Sequence, residues 1–242
     1  MSKIFTVALI GPDGAGKSTI GHKLELVSPL PVKYMYMGVN LESSNMVLPT
    51  TRLLLEIKRA QGQRPDIATK PRDSYQSRTR SKSLPKRLAA GLRAALRFVN
   101  LTAEEWFRQI VVWFYTLRGY YVIFDRHFYF DYYAHDVVNN GSKRPLNSRI
   151  HGFMLKKLYP KPDFVIFLDA PSEVLYARKP EGTLEALERR RQEYVQLREV
   201  IESWAVVDVS QPVDEVVQQV SDLIVEFHNS KNGVEKAKQW SD

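Results

Sequence analysis

The sequence predicts an α/β protein in which helices cover both faces of one parallel sheet. Two observations support this fold class. Five short segments are rich in β-branched and aromatic residues and are apolar almost throughout, as is typical of strands buried on both faces. Helical patterns separate these segments, and such alternation of strand with helix is typical of a doubly wound sheet. We therefore expect a single domain over residues 1–242.

Each element is predicted from its own pattern. The strands are predicted at residues 5–10, 33–37, 121–124, 164–168 and 206–209. The helices are predicted at residues 17–26, 47–59, 103–117, 147–158, 184–204 and 213–228. In the third helix, Trp106, Ile110, Trp113 and Leu117 recur at helical spacing, which predicts that this stripe packs in the core. The polar segment 229–242 is predicted to be a frayed tail.

The composition limits the class of protein and its compartment. The 242 residues are 44% apolar and 26% charged, which is ordinary for a soluble globular protein. The absence of cysteine excludes disulfides and thiolate metal sites and favours a reducing, cytoplasmic location. The first apolar segment stops at Gly11 and Pro12, so we expect a strand there and not a signal peptide. The longest apolar run, at residues 110–124, contains Thr116 and Arg118 and is too short to cross a bilayer.

The net charge of +8 is concentrated in one segment. Positions 58–97 hold 12 Lys and Arg residues against Asp66 and Asp73, a balance of +10 that leaves about −2 for the rest of the chain. Within this segment, residues 61–87 are rich in Pro, Ser and Arg without periodicity, which predicts a flexible basic insertion. Such a segment favours contact with an anionic substrate or a membrane surface. Tyr75 is its only aromatic residue, which argues against binding of nucleic acid.

A glycine-rich loop lies between the first predicted strand and the first predicted helix. Residues 9–19 read LIGPDGAGKST and contain the pattern G-x-x-x-x-G-K-[ST]. The glycines of such a loop let backbone N–H groups converge on phosphate oxygens, and the helix N-terminus adds partial positive charge. Lys17 is expected to bridge the β- and γ-phosphates of ATP, and Ser18 to bind Mg²⁺. The predicted nucleotide-binding residues are Gly11, Asp13, Gly14, Ala15, Gly16, Lys17, Ser18 and Thr19.

The third strand ends in the sequence YVIFDRHFYFD, where Arg126 follows Asp125 directly. The carboxyl ends of parallel strands border the binding crevice of such a sheet. A carboxylate there can hold Mg²⁺ through water or accept a proton from an acceptor hydroxyl, and the guanidinium can bind an acceptor phosphate. The alternative is an aspartate that only caps the next helix. Because the chain has no guanine-reading N-K-x-D sequence, the pattern favours a kinase over a GTPase.

The segments IGPDGAGKST, VIFDRHFYFDYYAHD and FVIFLDAPSEVLYARKPEG…LERRRQEY together resemble the thymidylate kinase-like family of P-loop nucleoside-monophosphate kinases. The resemblance covers most of the chain except the insertion and the tail. It implies a five-stranded sheet in the order 2-3-1-4-5, ATP and Mg²⁺ as cofactors, and a small phosphate acceptor such as dTMP. It also implies that Asp13 reaches toward the acceptor's sugar, and that Asp125 and Arg126 handle the metal and the acceptor phosphate. We leave open whether the chain forms a homodimer.

The resemblance further implies a lid at residues 178–192, after the fourth strand. Pro180 and Gly182 predict a mobile tip that closes over ATP. A lid arginine would stabilise the negative charge of the transferred group, although a solvated basic helix face is the alternative. The predicted contributors are Arg178, Arg190 and Arg191, because Arg189 points away from the packing face of the helix. After the last strand, the family's adenine-binding loop matches residues 210–212, which the pattern alone identifies only as a strand–turn–helix junction.

The acceptor side departs from true thymidylate kinases. Their Arg-Glu-Pro-Gly-like segment after the second strand is replaced here by YMYMGVNLESSNM, with no arginine near Gly38. In one reading, arginines of the insertion, such as Arg72, Arg78 or Arg80, replace this contact with the acceptor phosphate. In a second reading, the acceptor is not a nucleotide but a sugar, a phosphorylated lipid or a glycan end group. In a third reading, the chain is a nucleotide-binding module that catalyses no reaction.

Three further groups of residues have a bearing on the site. A ring of the aromatic helix at residues 103–117 could stack on an acceptor base instead of packing in the core. Asp131 and Tyr132 are expected near the acceptor. The histidines His127, His135 and His151 are spaced too irregularly for a metal triad, so we assign them no metal role.

Overall fold

The computed structural model describes residues 3–38, 44, 46–60, 84–132 and 146–233. Its strands are β1 (Thr6–Ile10), β2 (Val32–Tyr36), β3 (Tyr121–Asp125), β4 (Phe164–Asp169) and β5 (Trp204–Asp208). Its helices are α1 (Lys17–Val27), α2 (Pro49–Ala60), α3 (Leu84–Leu117), α4 (Phe128–Tyr132), α5 (Leu146–Lys157), α6 (Ser172–Arg178), α7 (Leu184–Gln196) and α8 (Val213–Asn232). A short 3₁₀ helix, Leu197–Val200, follows α7.

The strands form one parallel sheet in the order β2-β3-β1-β4-β5, which confirms the predicted order 2-3-1-4-5. Strand β1 is central and pairs with β3 on one side and β4 on the other, with Ala8 opposite both Phe124 and Val165. The inner strands are buried along almost their whole length. Their continuous apolar sequences are explained by this position, because helices cover both faces of the sheet.

Two hydrophobic clusters lie on opposite faces of the sheet. One contains Val7, Leu9 and Ile123 with side chains of α1 and α8, such as Leu24 and Val220. The other contains Ala8, Phe124 and Phe167 with side chains of α3, α4, α5 and α7. Alternate residues of one strand therefore belong to different clusters, as the two-residue period of a strand requires. The three layers, helices on sheet on helices, agree with the predicted fold class.

The predicted helix at residues 184–204 is too long. In the structure α7 ends at Gln196, and Trp204 already pairs with Val165 of β4 as the first residue of β5. The apolar residues between Leu197 and Trp204 fit a helical period, but the segment Trp204–Asp208 is aromatic and β-branched and completes the sheet. Helix α6 was not predicted as a separate element, and α3 begins at Leu84, inside the predicted insertion.

Helix α3 buries the opposite face from the one predicted. Glu104, Glu105, Arg108 and Gln109 are buried, whereas Trp113 is 44% exposed and Leu117 is 88% exposed. Of the predicted core stripe, only Trp106 packs against a buried cluster. The prediction was wrong because periodicity identifies an apolar face without saying what that face meets, and a network of buried polar groups occupies the inner face instead.

The ends of the strands bring the predicted site residues to one edge of the sheet. The glycine-rich loop at residues 11–16 follows β1, Asp125 ends β3 and Asp169 ends β4. None of the described helices is long and apolar enough to span a bilayer. Arg72, Arg78, Arg80 and His135 lie outside the described residues, as do most of the predicted insertion and positions 234–242 of the tail. The predicted role of the insertion therefore stays a prediction, as does the predicted fraying of the tail beyond position 233.

Candidate active site

The loop at residues 11–16 has the backbone of a phosphate-binding nest. Gly11, Gly14 and Gly16 have φ values of 149°, 88° and 79°, a range that favours glycine. A Cβ atom on Gly11 would lie 2.5 Å from the carbonyl oxygen of Leu168, and one on Gly14 would lie 2.5 Å from that of Leu175. The loop is thus packed against β4 and α6, and its glycines are required by both conformation and space. The N-terminus of α1 follows at Lys17.

Lys17 lies buried at the centre of this loop. Its Nζ donates to the carbonyl oxygens of Gly11 at 2.8 Å and Pro12 at 2.7 Å. Burial, together with the nearby charge of Arg126, lowers the pKa of Lys17 to about 7, although Asp13 and Asp125 act in the opposite direction. Of the other predicted loop residues, Ala15 is buried and Thr19 is exposed in the first turn of α1.

Ser18, Asp125 and Tyr34 form a hydrogen-bonded group beneath the loop. The Ser18 hydroxyl donates to Oδ2 of Asp125, and the Tyr34 hydroxyl donates to the same oxygen at 2.9 Å. Tyr34 comes from β2, and its ring lies so close to Gly21 of α1 that a Cβ there would be 2.6 Å away. Burial and the neighbouring carboxylate of Asp125 raise the pKa of Tyr34, so its hydroxyl stays protonated and can donate.

Asp13 and Arg126 form an ion pair that joins the loop to the end of β3. Arg126 has a φ of 61°, the only positive φ of a non-glycine residue in the described part of the chain. Its amide donates to the carbonyl of Leu9, and this left-handed turn sends the side chain back over the loop. Burial alone would raise the pKa of Asp13, but Arg126 and Lys17 outweigh it and lower that pKa. Asp13 is therefore ionised at neutral pH.

The three predicted lid arginines have different surroundings. Arg178 donates to the carbonyl oxygen of Val209 at 2.7 Å, next to the loop at residues 210–212. Arg191 binds the carboxylate of Asp169 through Nε at 2.6 Å and Nη2 at 2.8 Å. Arg190 is exposed and interacts with Tyr194 and Asp131, which raise its pKa against the effect of desolvation.

The acceptor side of the crevice is bordered by Gly38 and Arg108. Arg108 of α3 is buried and donates from Nη1 to the carbonyl oxygen of Gly38 at 2.7 Å, while its Nε has no hydrogen-bond partner. A Cβ on Gly38 would lie 2.8 Å from Cδ of Arg126, so the chain after β2 passes directly against that arginine. Asp131 contributes to the electrostatic environment of Arg126, Arg190 and Lys17, and its place near the acceptor stays a prediction.

The remaining candidates have structural contacts. Asp208 accepts hydrogen bonds from the amide and hydroxyl of Ser210, and Asp214 pairs with Lys23. His127 is buried, its pKa is lowered to about 3 by burial, and its Nδ1 accepts from the amide of Tyr129. His151 is hydrogen-bonded to Glu105 at 3.1 Å.

Sequence reasoning missed three residues of this region: Tyr34, Arg108 and Asp169. None belongs to a local motif, and each acts on a residue 22 to 91 positions away. Asp169 had the clearest signal, because it ends a buried strand at the same sheet edge as Asp125. Arg108 sits among apolar residues in the middle of a helix, where a charged residue at a buried position needs a partner.

Comparisons with known proteins bear on the fold and the family resemblance. No family model matches the sequence. The chain is 34% identical over 118 residues to a probable thymidylate kinase of Archaeoglobus fulgidus, a match that covers 47% of this chain and 57% of that protein. The chain therefore spans little more than half the length of the curated relative it matches. Among solved structures it is similar to the thymidylate kinase from Candida albicans, with a TM-score of 0.57 at 20% identity over 96% of this chain and 95% of that one.

These two similarities differ in what they establish. The structural match extends over nearly the whole chain, but at this identity it shows the fold alone. The sequence match is stronger and shorter. The predicted resemblance to the thymidylate kinase-like family is thereby confirmed, in fold over almost the entire chain and in sequence over about half of it.

Proposed function

We propose that this chain is an ATP-dependent kinase that transfers the γ-phosphoryl group of ATP to a small acceptor, with dTMP as the first candidate. The observation that carries the proposal is the pair of contacts between the glycine-rich loop and the end of β3. Ser18 meets Asp125, and Asp13 meets Arg126, so that the phosphate-binding loop and the acidic–basic couple share one crevice. The sequence similarity to a probable thymidylate kinase supports both the reaction and the acceptor.

On the donor side, the backbone amides of the loop bind the β- and γ-phosphates, and Lys17 contacts both. Lys17 already lies at the mouth of the loop, held by the carbonyls of Gly11 and Pro12. Arg178, fixed to the carbonyl of Val209, borders the region where residues 210–212 would receive the adenine. These contacts orient the triphosphate so that its terminal group faces Asp125 and Arg126.

Mg²⁺ fits the donor atoms available in this crevice. The hydroxyl of Ser18 and the carboxylate of Asp125 are oxygen ligands of the kind that Mg²⁺ prefers. The part of the chain that the structure describes contains no cluster of three or more His, Cys, Asp or Glu residues that could hold a metal. Ser18 and Asp125 would therefore hold the ion jointly with the phosphates. When bound, Mg²⁺ neutralises charge on the β- and γ-phosphoryl oxygens.

On the acceptor side, Arg126 binds the acceptor phosphate and Asp13 binds a hydroxyl of its sugar. During transfer, an oxygen of the acceptor phosphate forms the new bond to the γ-phosphorus as the bond from that phosphorus to the β,γ-bridging oxygen breaks, and ADP leaves. Because a phosphate oxygen is already anionic, this reaction needs no general base, and Asp125 is left free to serve the metal. A lid arginine stabilises the charge spread over the transferred group.

A panel of acceptors tests the proposal. Purified protein with ATP and Mg²⁺ is incubated with nucleoside monophosphates including dTMP, with deoxynucleosides and with phosphosugars, and ADP release is measured. We expect dTMP to stimulate release and Lys17→Ala to reduce the stimulated rate by about 10³-fold or more with unchanged folding. Stimulation by a phosphosugar alone would reject the nucleotide acceptor, and full activity of Lys17→Ala would reject the site.

We also propose that the chain forms a homodimer through α3. A stripe of apolar residues runs along α3. It consists of the exposed residues Leu92, Leu96, Val99, Ile110, Trp113 and Leu117, with Ala103 and Trp106 on the same line. The spacing between successive members alternates between four and three residues, which is the repeat of a helix that packs against another helix. A stripe of this length on the surface of a monomer is typical of an interface. A second copy of α3 satisfies the repeat with the same residues.

A further inference from the structure

Arg191 is held in a two-pronged contact at the end of β4. Its Nε and Nη2 donate to the two oxygens of Asp169 at 2.6 and 2.8 Å, and its Nη1 lies 3.4 Å from Glu188. Asp169 is the last residue of β4 and lies at the sheet edge where the glycine-rich loop begins. All three nitrogens of this guanidinium therefore face carboxylates of the chain itself.

The same turn of α7 is attached to its surroundings at two more points. The Ser172 hydroxyl, at the start of α6, donates to Glu188 at 2.6 Å. Tyr194 is buried and its ring centroid lies 6.0 Å from that of Phe167 in β4. Between α6 and α7 only residues 179–183 form a loop, and Gly182 has a φ of 79° there. Helix α7 is thus fixed to β4 through Arg191 and Tyr194, and to α6 through Glu188.

Arg190 faces the crevice from this fixed helix. It stands one helical turn before Tyr194, so the two side chains share a face of α7. It interacts with Tyr194 and Asp131, and it is among the positive groups that act on Asp13 in the glycine-rich loop. Unlike Arg191, it is exposed. Arg191 is held by Asp169, whereas Arg190 is exposed on the helix face that it shares with Tyr194, so Arg190 is the arginine of this pair that is available to a bound phosphate.

We propose that Arg191 is a positioning residue, whose contact with Asp169 sets the rotation of α7 that directs Arg190 at the transferred phosphoryl group. The inference rests on the proposed kinase function. It changes the predicted role of Arg191 from direct contact with the substrate to action through Arg190. If Arg191 turned to the phosphates instead, it would leave the partly buried carboxylate of Asp169 unpaired beside another group of negative charges.

A set of variants separates the two roles. ADP formation from ATP and Mg²⁺ is measured without acceptor and with dTMP, for Arg190→Ala, Arg191→Ala, Asp169→Asn and the double variant Arg190→Ala/Arg191→Ala. We expect Arg190→Ala to lower kcat by about 10²-fold or more. Arg191→Ala and Asp169→Asn should each lower kcat by about tenfold, with KM for ATP within about twofold of the wild-type value. In the Arg190→Ala background, Arg191→Ala should have no further effect, because the residue it orients is gone.

Two controls make the result specific. Arg189→Ala removes an exposed arginine of the same helix and should leave kcat unchanged. Arg191→Lys keeps the charge but loses the two-pronged contact, so it should behave like Arg191→Ala. Thermal unfolding of every variant identifies any that fail to fold. If Arg191→Ala does not fold, a folded Asp169→Asn variant with reduced kcat still supports the inference.

Three outcomes would overturn the inference. Arg191→Ala could lower kcat by the same factor with and without Arg190, which would assign it an independent contact with the substrate or a purely structural role. Asp169→Asn could leave kcat unchanged while Arg191→Ala abolishes it. Arg191→Lys could retain full activity. A wild-type protein that forms no ADP under either condition would instead reject the proposed function, and the inference with it.

Discussion

Single hydrogen bonds orient Asp125, the carboxylate that we propose as a metal ligand. Asp125 receives hydroxyl donors from Ser18 of α1 and from Tyr34 of β2, both at Oδ2. Ser18 is also the expected Mg²⁺ ligand, so its hydroxyl must serve the ion when nucleotide is bound. Tyr34 then remains as the donor that fixes Asp125. Its ring packs against α1, close to Gly21 and with its centroid 3.9 Å from that of the His22 ring.

The variant Tyr34→Phe tests this role of the hydroxyl. It removes one hydrogen bond to a carboxylate, worth about 1 to 2 kcal/mol. We expect the Mg²⁺ concentration for half-maximal ADP formation to rise about five- to twentyfold, with a smaller change in KM for ATP at saturating Mg²⁺. Tyr121→Phe is the matched control, since it loses a 2.8 Å hydrogen bond to His228 away from the crevice. Equal Mg²⁺ dependence in wild type and Tyr34→Phe would contradict the role.

Lys17 links binding of the nucleotide to uptake of a proton. In the free protein its pKa is lowered to about 7, mainly by burial. The triphosphate favours the charged form and raises this pKa, so at pH 8 binding of ATP with Mg²⁺ should take up close to one proton. The uptake should fade below pH 7, where Lys17 is already protonated. Calorimetric titrations in buffers of different ionisation enthalpy measure it, and heats that do not depend on the buffer at pH 8 would contradict the prediction.

At the scale of elements, the glycine-rich loop owes its shape to the backbone on which it packs. Gly14 has a φ of 88°, and a Cβ there would meet the carbonyl oxygen of Leu175 in α6 at 2.5 Å. Gly91 in α3 is the opposite case, because nothing lies within 4 Å of a Cβ built there. Alanine substitutions at these two glycines should therefore change the free energy of unfolding in opposite directions.

Gly14→Ala should lower the free energy of unfolding by about 2 kcal/mol or more, from backbone strain and the contact with α6. Gly91→Ala should raise it by about 1 kcal/mol, because alanine is the better residue in a helix interior. Urea denaturation followed by circular dichroism measures both. Equal effects of the two substitutions would show that the loop is not packed on α6 as described.

The features that were predicted correctly from the sequence depend on residues close together in the chain, whereas the features that were predicted wrongly depend on distant residues. The glycine-rich loop and the Asp125–Arg126 pair were identified because each is a short pattern next to a strand, and the sheet order followed from the resemblance. The end of α7 and the inner face of α3 were predicted wrongly, since both are decided by partners far along the chain. Tyr34 had no signal of its own, because a tyrosine in a strand is ordinary. Asp169 had only its position at the end of a buried strand, which does not identify Arg191 as its partner.

At the scale of the whole molecule, the exposed apolar stripe of α3 is the reason to expect a homodimer. Its inner face is polar, with Glu105 bound to His151 and to the Tyr159 hydroxyl, and its apolar stripe is left on the surface. Trp113→Glu should convert the dimer to a monomer, as measured by analytical ultracentrifugation. Leu26→Glu changes an exposed apolar residue of α1, outside the stripe, and should leave the dimer intact. A wild-type protein that sediments as a monomer at micromolar concentration would contradict this assembly.

The central claim is that one crevice holds both the donor triphosphate and its acceptor, with Lys17 on one side and Asp125 and Arg126 on the other. The most direct test follows the label from γ-labelled ATP in the presence of Mg²⁺ and dTMP. The account predicts that the label appears in dTDP, and that Lys17→Ala reduces this transfer by about 10³-fold or more while its unfolding transition is unchanged. Label released only as inorganic phosphate, or transferred undiminished by Lys17→Ala, would contradict it.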